Sequence, residues 1–411
     1  MPRIDAKRLI GDLETLRGFG ATGAGTGVVR PSLSPVDMAS REWLVARMTE
    51  AGLDAAIDGV GSVFGRSRNA GKALVIGSHS DTQPRGGWLD GAMGVIYAIE
   101  IARALAEDPA TRHLAVDCIS LIDEEGTYCG FLGSLSFCDM LDAEAIAGAV
   151  NRDGHRLADA IAEAGLDGRP RARLEPDRHV AYLEAHIEQG AILEDTGKRI
   201  GVVTGIVGNR GYQIDFTGQQ NHAGTTPMPK RRDAGVALVD FANRLHAAFA
   251  EIAGPLTVWT VGGITLDPGA MSIIPGRAEM ILQCRDHDDT RLDALEARAH
   301  ELVAEANARG PVAVAFAARG EPAAPVPMDD GLQAHLTAAA EAALPGGWMA
   351  MPSGAGHDAQ VMATVLPSAM LFVPSIGGVS HDFAEDTAED DIVLGCQVLC
   401  DAAASILGDL S

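Results

Sequence analysis

Short apolar runs rich in branched side chains punctuate the chain: ALVIGS (73–78), LAVDCISLI (114–122), AYLEA (181–185) and AMLFVP (369–374). Runs this brief and this uniformly apolar read as strands buried on both faces. Segments with helical spacing separate them, among them 92–107 and 232–249. Alternating strands and helices predict an α/β domain, its mixed central sheet covered by helices. The middle of the chain changes period. GYQIDFTG (211–218) alternates as a half-buried strand; a helix, strands near 255–262 and 276–285, a long charged helix over 288–310 and the strand VAVAFAA (312–318) follow. That order describes a separate small α+β domain. The proline-rich EPAAPVPMDD (321–330) reads as the return linker. The larger α/β domain is therefore expected at 1–211 and 327–411, with the smaller domain inserted at 212–326.

Composition agrees with two cores. The 411 residues exceed the roughly 250–300 at which single cores stop growing. Asp plus Glu number 56 against 32 Lys plus Arg, a net charge of −24 that argues against nucleic acid and anionic membranes as partners. The N-terminal MPRIDAKRLIGDLETL reads as an amphipathic helix, not a signal peptide. The six cysteines are scattered, several within apolar runs, and read as buried free thiols of a cytoplasmic protein.

The strand ends carry the chemistry. In α/β sheets ligands bind beyond the carboxyl ends of the strands. ALVIGS leads into His79, and its loop adds Asp81 and Asp90. The second run leads into Asp123, Glu124 and Glu125, AYLEA into His186, and LFVPSIGGVS into His381. Imidazole with carboxylate suits Zn²⁺ or Mn²⁺. Two histidines and a shared carboxylate could hold one ion; a second ion needs its own histidine and carboxylate. The glycines at 77, 86, 87, 91 and 94 are expected to let the backbone turn sharply, so that Asp90 folds back toward His79. Asp81 is expected to hydrogen-bond the other ring nitrogen of His79. The remaining histidines, 113, 155, 179, 246, 287, 300 and 335, read as surface or core residues.

GSHSDTQPRGGWLDGAMGV, DEEG, HIEQG, HAGTTPM, SGAGHDAQ and VPSIGGVSH occur in this order. The set resembles the hydantoinase/carbamoylase amidases of the M20 dinuclear metallohydrolases, over about residues 10–405. The resemblance implies two divalent ions per chain, zinc first, with manganese, cobalt or nickel as alternatives. His79, Asp90 and His186 would hold one; Asp90 would bridge to the other, held also by Glu125 and His381. Glu124 is implied as general base, pointing away from Glu125 because strand side chains alternate. Gln189 is implied as a substrate contact. His357 is implied as a substrate-side or proton-handling group. The inserted domain is implied as a lid that pairs in a homodimer, its His222 reaching across to stabilise an oxyanion. Arg285 is implied to hold a substrate carboxylate.

Some positions depart from the family. Ser272 stands where an asparagine contacts substrate, and Gln283 where an aspartate is usual. The loop after DEEG is short and lacks its arginine. The resulting expectation is a hydrolase of linear amides that cleaves a small N-carbamoyl amino acid to amino acid, ammonia and carbon dioxide. Allantoate or ureidoglycolate hydrolysis and N-acyl-amino-acid hydrolysis are the alternatives. A dinuclear aminopeptidase fits HIEQG and Arg285 poorly, and a non-catalytic binding protein would not need the complete set.

Overall fold

The structure, a computed structural model, describes residues 2–141, 143–320 and 322–410. The chain forms two compact units, one built from residues up to 204 and from 327 onward, the other from 205–326. The first crossing thus lies ahead of the 211/212 read from the sequence. The strand recognised by GYQIDFT already begins at Gly208 and pairs along its whole length within the second unit. Position 321, the start of the expected linker, lies outside the described residues.

Helices α1 (Ala6–Gly18) and α2 (Pro35–Glu50) open the first unit. Each starts at a side-chain cap, Asp5 accepting the Arg8 N–H and Ser34 the Asp37 N–H, which satisfies donors the helix itself leaves unpaired. Strands β1 (Leu53–Ile57), β2 (Val63–Ser67) and β3 (Ala73–His79), helix α3 (Ala92–Glu107), and strands β4 (Ala115–Leu121), β5 (His179–Ile187) and β6 (Ile200–Ile206) follow. The inserted unit holds β7 (Gly208–Thr217), α4 (Ala234–Ile252), β8 (Val258–Asp267), β9 (Arg277–Asp286), α5 (Asp289–Arg309) and β10 (Ala313–Ala318). The chain returns through α6 (Asp330–Ala343), β11 (Trp348–Ser353), β12 (Ser368–Val373) and α7 (Glu389–Asp409).

The main sheet runs β1-β2-β4-β3-β5-β12-β6, with β11 beside β6. β4, β3, β5 and β12 are mutually parallel, whereas β2 and β6 flank them antiparallel. Four neighbouring parallel strands therefore end at one edge, and those are the four expected to carry the polar groups. Every residue of β3 and β4 is buried, because helices cover both faces and leave no position for a polar alternation. Helix α7 is long and apolar enough, by length and composition, to cross a membrane. Its Cys396, Leu399, Ala403 and Leu407 are instead buried in the same hydrophobic cluster as Val95 of α3 and Leu371 of β12.

The inserted sheet runs β10-β7-β9-β8. Ala278, Met280, Leu282 and Cys284 alternate toward a separate core with Phe241 of α4 and Leu292 and Leu295 of α5. Edge strand β8 leaves Val258, Val261, Ile264 and Leu266 exposed.

Of the five glycines expected to make turns, only Gly91 has a positive φ, 65°. Gly77 lies inside β3, where a Cβ would stand 1.9 Å from the Ile119 carbonyl oxygen of β4. Its need is for close approach, not for a bend. Gly77→Ala should separate β3 from β4 and lower stability by about 1–3 kcal/mol, the scale of overpacked cores. Urea unfolding of metal-free protein measures it; an unchanged midpoint would mean the strands absorb the methyl group without cost.

Candidate metal centre

His79 is the last residue of β3 and His186 the penultimate residue of β5, so the sheet itself sets their spacing. The His79 Nδ1 lies 3.1 Å from the Asp81 carbonyl oxygen, and the His186 Nδ1 lies 2.9 Å from that of Ile187. Those acceptors hold the ring protons on Nδ1 and turn both Nε2 atoms into the site, where the His186 Nε2 also accepts the Gly91 N–H at 3.0 Å. Asp90 answers them. Its Oδ1 is 3.5 Å from the His79 Nε2 and 3.0 Å from the His186 Nε2. Its Oδ2 is 3.1 Å from the His381 Nε2, which in turn lies 3.6 Å from the Glu125 Oε1. Two triads, His79–Asp90–His186 and Asp90–Glu125–His381, each gather their donor atoms within 4.8 Å and share the one carboxylate.

The residues fit two divalent ions. Donors bound at ~2.0–2.2 Å to a tetrahedral ion stand roughly 3.4 Å apart, the spacing these groups have. The Glu125 Oε1 and Gln189 Oε1 are buried with no hydrogen-bond partner, which is costly without a cation nearby. The charges ask for the same thing. Contact with Asp90 pushes the His381 pKa up to about 9, and burial, reinforced by Asp90, lifts Glu125 to about 7. Burial alone would raise Asp90, but the three imidazoles pull it well below the usual carboxylate range. Positive charge is what this cluster lacks.

The backbone is shaped to the side chains. A Cβ on Gly91 would stand 2.3 Å from the His79 Nε2, and the residue takes a left-handed conformation that a side chain would strain. Asp123, Gln189 and His381 also have positive φ, a concentration of costly conformations around one site.

The Asp81 carboxylate does not hydrogen-bond His79 as expected; it is 3.9 Å from the Nδ1, and the Asp81 carbonyl takes that place. The carboxylate instead accepts the main-chain N–H groups of Asp123 (3.0 Å) and Glu125 (3.2 Å), tying the β3 loop to the turn after β4. Glu124 and Glu125 do diverge, the Glu124 Oε2 lying 3.7 Å from the His79 Nε2. Strand alternation is not the reason, since β4 ends at Leu121. The divergence comes from a turn at Asp123, whose carboxylate accepts the N–H groups of Thr127, Tyr128 and Cys129.

The Gln189 amide is turned onto the second triad, its Nε2 donating to the Asp90 Oδ2 (3.0 Å) and the Ser380 Oγ (3.2 Å). His357 is buried with its ring 4.5 Å from that of His186 and its Nε2 2.9 Å from the Ser353 Oγ. Burial, helped by His186, holds it well below the ordinary histidine pKa, so it is a neutral ring. His222, Ser272 and Arg285 belong to the inserted unit. His222 is exposed, and Ser272 is beside it, its carbonyl accepting the Ala223 N–H at 2.9 Å. The Arg285 Nε–H donates to the Gln283 Oε1 at 3.1 Å, which gives the unusual glutamine a role.

Sequence reasoning missed Glu385. It is fully buried; its Oε1 accepts the N–H groups of Leu89 (3.2 Å) and Asp90 (3.0 Å), and its Oε2 accepts the Ser380 hydroxyl at 2.8 Å. One carboxylate thereby ties the shared ligand to the residue before His381. The available signal was Gly87, where a Cβ would fall 2.0 Å from the Glu385 Oε1.

The model of peptidase family M20/M25/M40 matches residues 75–405. Among solved structures, an amidase of the hydantoinase/carbamoylase family from Burkholderia phymatum is 58% identical and covers 100% of both chains, with a TM-score of 0.95. N-carbamoyl-L-amino acid amidohydrolase of Geobacillus stearothermophilus is 33% identical over 408 residues, covering 96% of this chain and 97% of its own. Allantoate amidohydrolase of Escherichia coli (strain K12) is 32% identical over 397 residues, covering 94% of each. A pair of triads sharing one carboxylate, in a chain matched end to end by these amidases, is the equipment of a metal-dependent amidohydrolase acting on a ureido- or carbamoyl-type C–N bond. The chain belongs to the M20 peptidase family, in its hydantoinase/carbamoylase amidase branch.

Proposed function

We propose that the protein hydrolyses an N-carbamoyl amino acid to the amino acid, ammonia and carbon dioxide, and does so as a homodimer. The observation that carries this reading is the twin triad around Asp90 in a chain similar over its length to N-carbamoyl-L-amino acid amidohydrolase. Ions held by His79, Asp90 and His186, and by Asp90, Glu125 and His381, would polarise the ureido carbonyl and acidify water near neutral pH. Zinc is the first candidate, although nitrogen and oxygen donors also accept manganese, cobalt and nickel.

Glu124 takes the proton of the attacking water and hands it to the leaving nitrogen. Burial, opposed by His79 and reinforced by Asp358 and Glu125, holds its carboxyl well above the usual range, which suits a group that must keep a proton between two steps. His222 donates to the carbonyl oxygen as negative charge develops there. Its Nδ1 accepts the N–H groups of Gly224 (2.9 Å) and Thr225 (3.2 Å), which places the ring proton on Nε2. Arg285 binds the substrate carboxylate through its planar fork.

Geometry within the inserted unit supports the dimer. His222 pairs with Ile273 beyond the Arg277 end of β9, with Ser272 next to it. Arg285 lies about 27 Å along that strand from Arg277, at ~3.4 Å per residue. A compact substrate cannot meet both ends of one sheet, so we assign Arg285 to one protomer and His222 with Ser272 to the other. The exposed Val258, Val261, Ile264 and Leu266 on edge strand β8 are apolar surface that a second copy would cover.

Likeness to allantoate amidohydrolase supports allantoate as the second reading, with Ser272 in place of the family's asparagine as a difference bearing on the choice. Ammonia release from N-carbamoyl amino acids, allantoate, ureidoglycolate and N-acyl amino acids, each with metal restored, separates the candidates. The expected result is highest kcat/KM on an N-carbamoyl amino acid; highest kcat/KM on allantoate would replace the first reading with the second.

Glu124→Gln should retain two ions by elemental analysis and lose about 10²–10⁴-fold in kcat. Near-normal turnover would remove Glu124 as the base. His222→Ala should cost about 10²–10³-fold in kcat, the scale of an oxyanion donor. Mixed with Glu124→Gln under demonstrated subunit exchange, it should regain activity, because one site of each heterodimer has both residues intact. No recovery would place His222 within its own chain's site or outside catalysis.

A further inference from the structure

We propose that Gln83 is a positioning residue that fixes Glu125 for the second ion. The proposal rests on the reading of Glu125 as a ligand of that ion. The Gln83 Nε2 donates to the Glu125 Oε2 at 2.6 Å and also lies 3.4 Å from the Glu125 carbonyl oxygen. The other carboxylate oxygen, Oε1, is buried without a hydrogen-bond partner and faces the His381 Nε2 at 3.6 Å. One oxygen is thus satisfied by an amide and the other is reserved. A carboxylate held in this way binds through a single oxygen and cannot swing to chelate with both.

The contact is supported from both sides. Gln83 precedes Pro84, which restricts it to an extended backbone. Its neighbour Thr82 accepts the buried Arg30 N–H at 2.8 Å. On the far side, Asp81 accepts the Glu125 N–H, so the 81–83 segment grips Glu125 by main chain and side chain together. The donor must be neutral: an amide supplies a proton without the positive charge of a lysine, which would compete with the ion, or the negative charge of a glutamate, which would repel the ligand. Gln83 also lines a cavity of about 180 Å³ with Glu125, Thr127, Asn151 and Arg152. Losing its amide would therefore free the Glu125 carboxylate to swing into that space and take other orientations.

The test is calorimetric titration of metal-free protein with Zn²⁺, alongside Co²⁺ absorption spectra that report the coordination of each site. Gln83→Met keeps the length and removes the donor; Gln83→Glu keeps the shape and reverses the charge. Both should leave the first ion's affinity unchanged and weaken the second by about 10–100-fold, the usual effect of losing a group that orients a ligand. Gln83→Glu should be the weaker binder of the two. Glu125→Gln serves as control. If it loses the second ion while Gln83→Met or Gln83→Glu binds both with wild-type affinity and an unchanged Co²⁺ spectrum, Gln83 does not position the ligand. If Glu125→Gln itself binds both ions normally, the reading of Glu125 has failed and the proposal falls with it. Equal weakening of both ions would indicate a general disturbance of the loop and would also overturn it.

Discussion

Asp90 must offer one oxygen to His79 and His186 and the other to His381, from a loop rather than from a strand. A buried carboxylate costs several kcal/mol in desolvation unless its partners are fixed in place. Much of the surrounding structure holds it fixed. Its N–H is taken by Glu385, its Oδ2 meets Gln189, and the next residue is a glycine because nothing larger fits against His79. Glu385 in turn binds Ser380, so the turn that carries His381 is anchored to the loop that carries Asp90. The four parallel strands bring the loops to one edge, and the carboxylate contacts between loops set their final positions.

This division of labour explains what could be read in advance. Strands β3, β4, β5 and β12 announced themselves because burial on both faces writes a continuous apolar run, and the polar residue that ends each run stands out. The ordered motifs completed the ligand set. The contacts that aim those ligands were not legible. Asp81 looks like a partner for the histidine two residues before it, yet its carboxylate serves a turn some forty residues away. Glu385 and Gln83 could not be matched to their partners in advance, since each partner is supplied by another segment. The divergence of Glu124 from Glu125 was expected for the wrong reason, because a left-handed Asp123 cannot be foreseen from alternation.

The inserted unit obeys a looser constraint. It has its own hydrophobic cluster, and the alternation along its strands sets which side chains enter it. Its His222 and Ser272 stand beyond one end of β9 and its Arg285 near the other. The helices cover one face of its sheet, and β8 remains an apolar edge. Such an edge is a hazard in a domain that stands alone.

The contact between Glu385 and the Asp90 loop also has a meaning in time. At ~5–20 residues per second, His381 and Glu385 leave the ribosome tens of seconds after His79, about 300 residues later. Until then Asp90 lacks the acceptor for its N–H, and the second triad lacks its histidine. The nascent chain can complete the triad of His79, Asp90 and His186 first, but Asp90 is not locked until the final segment arrives. The second triad and the hydrogen bond that locks Asp90 thus exist only once nearly the whole chain has been made.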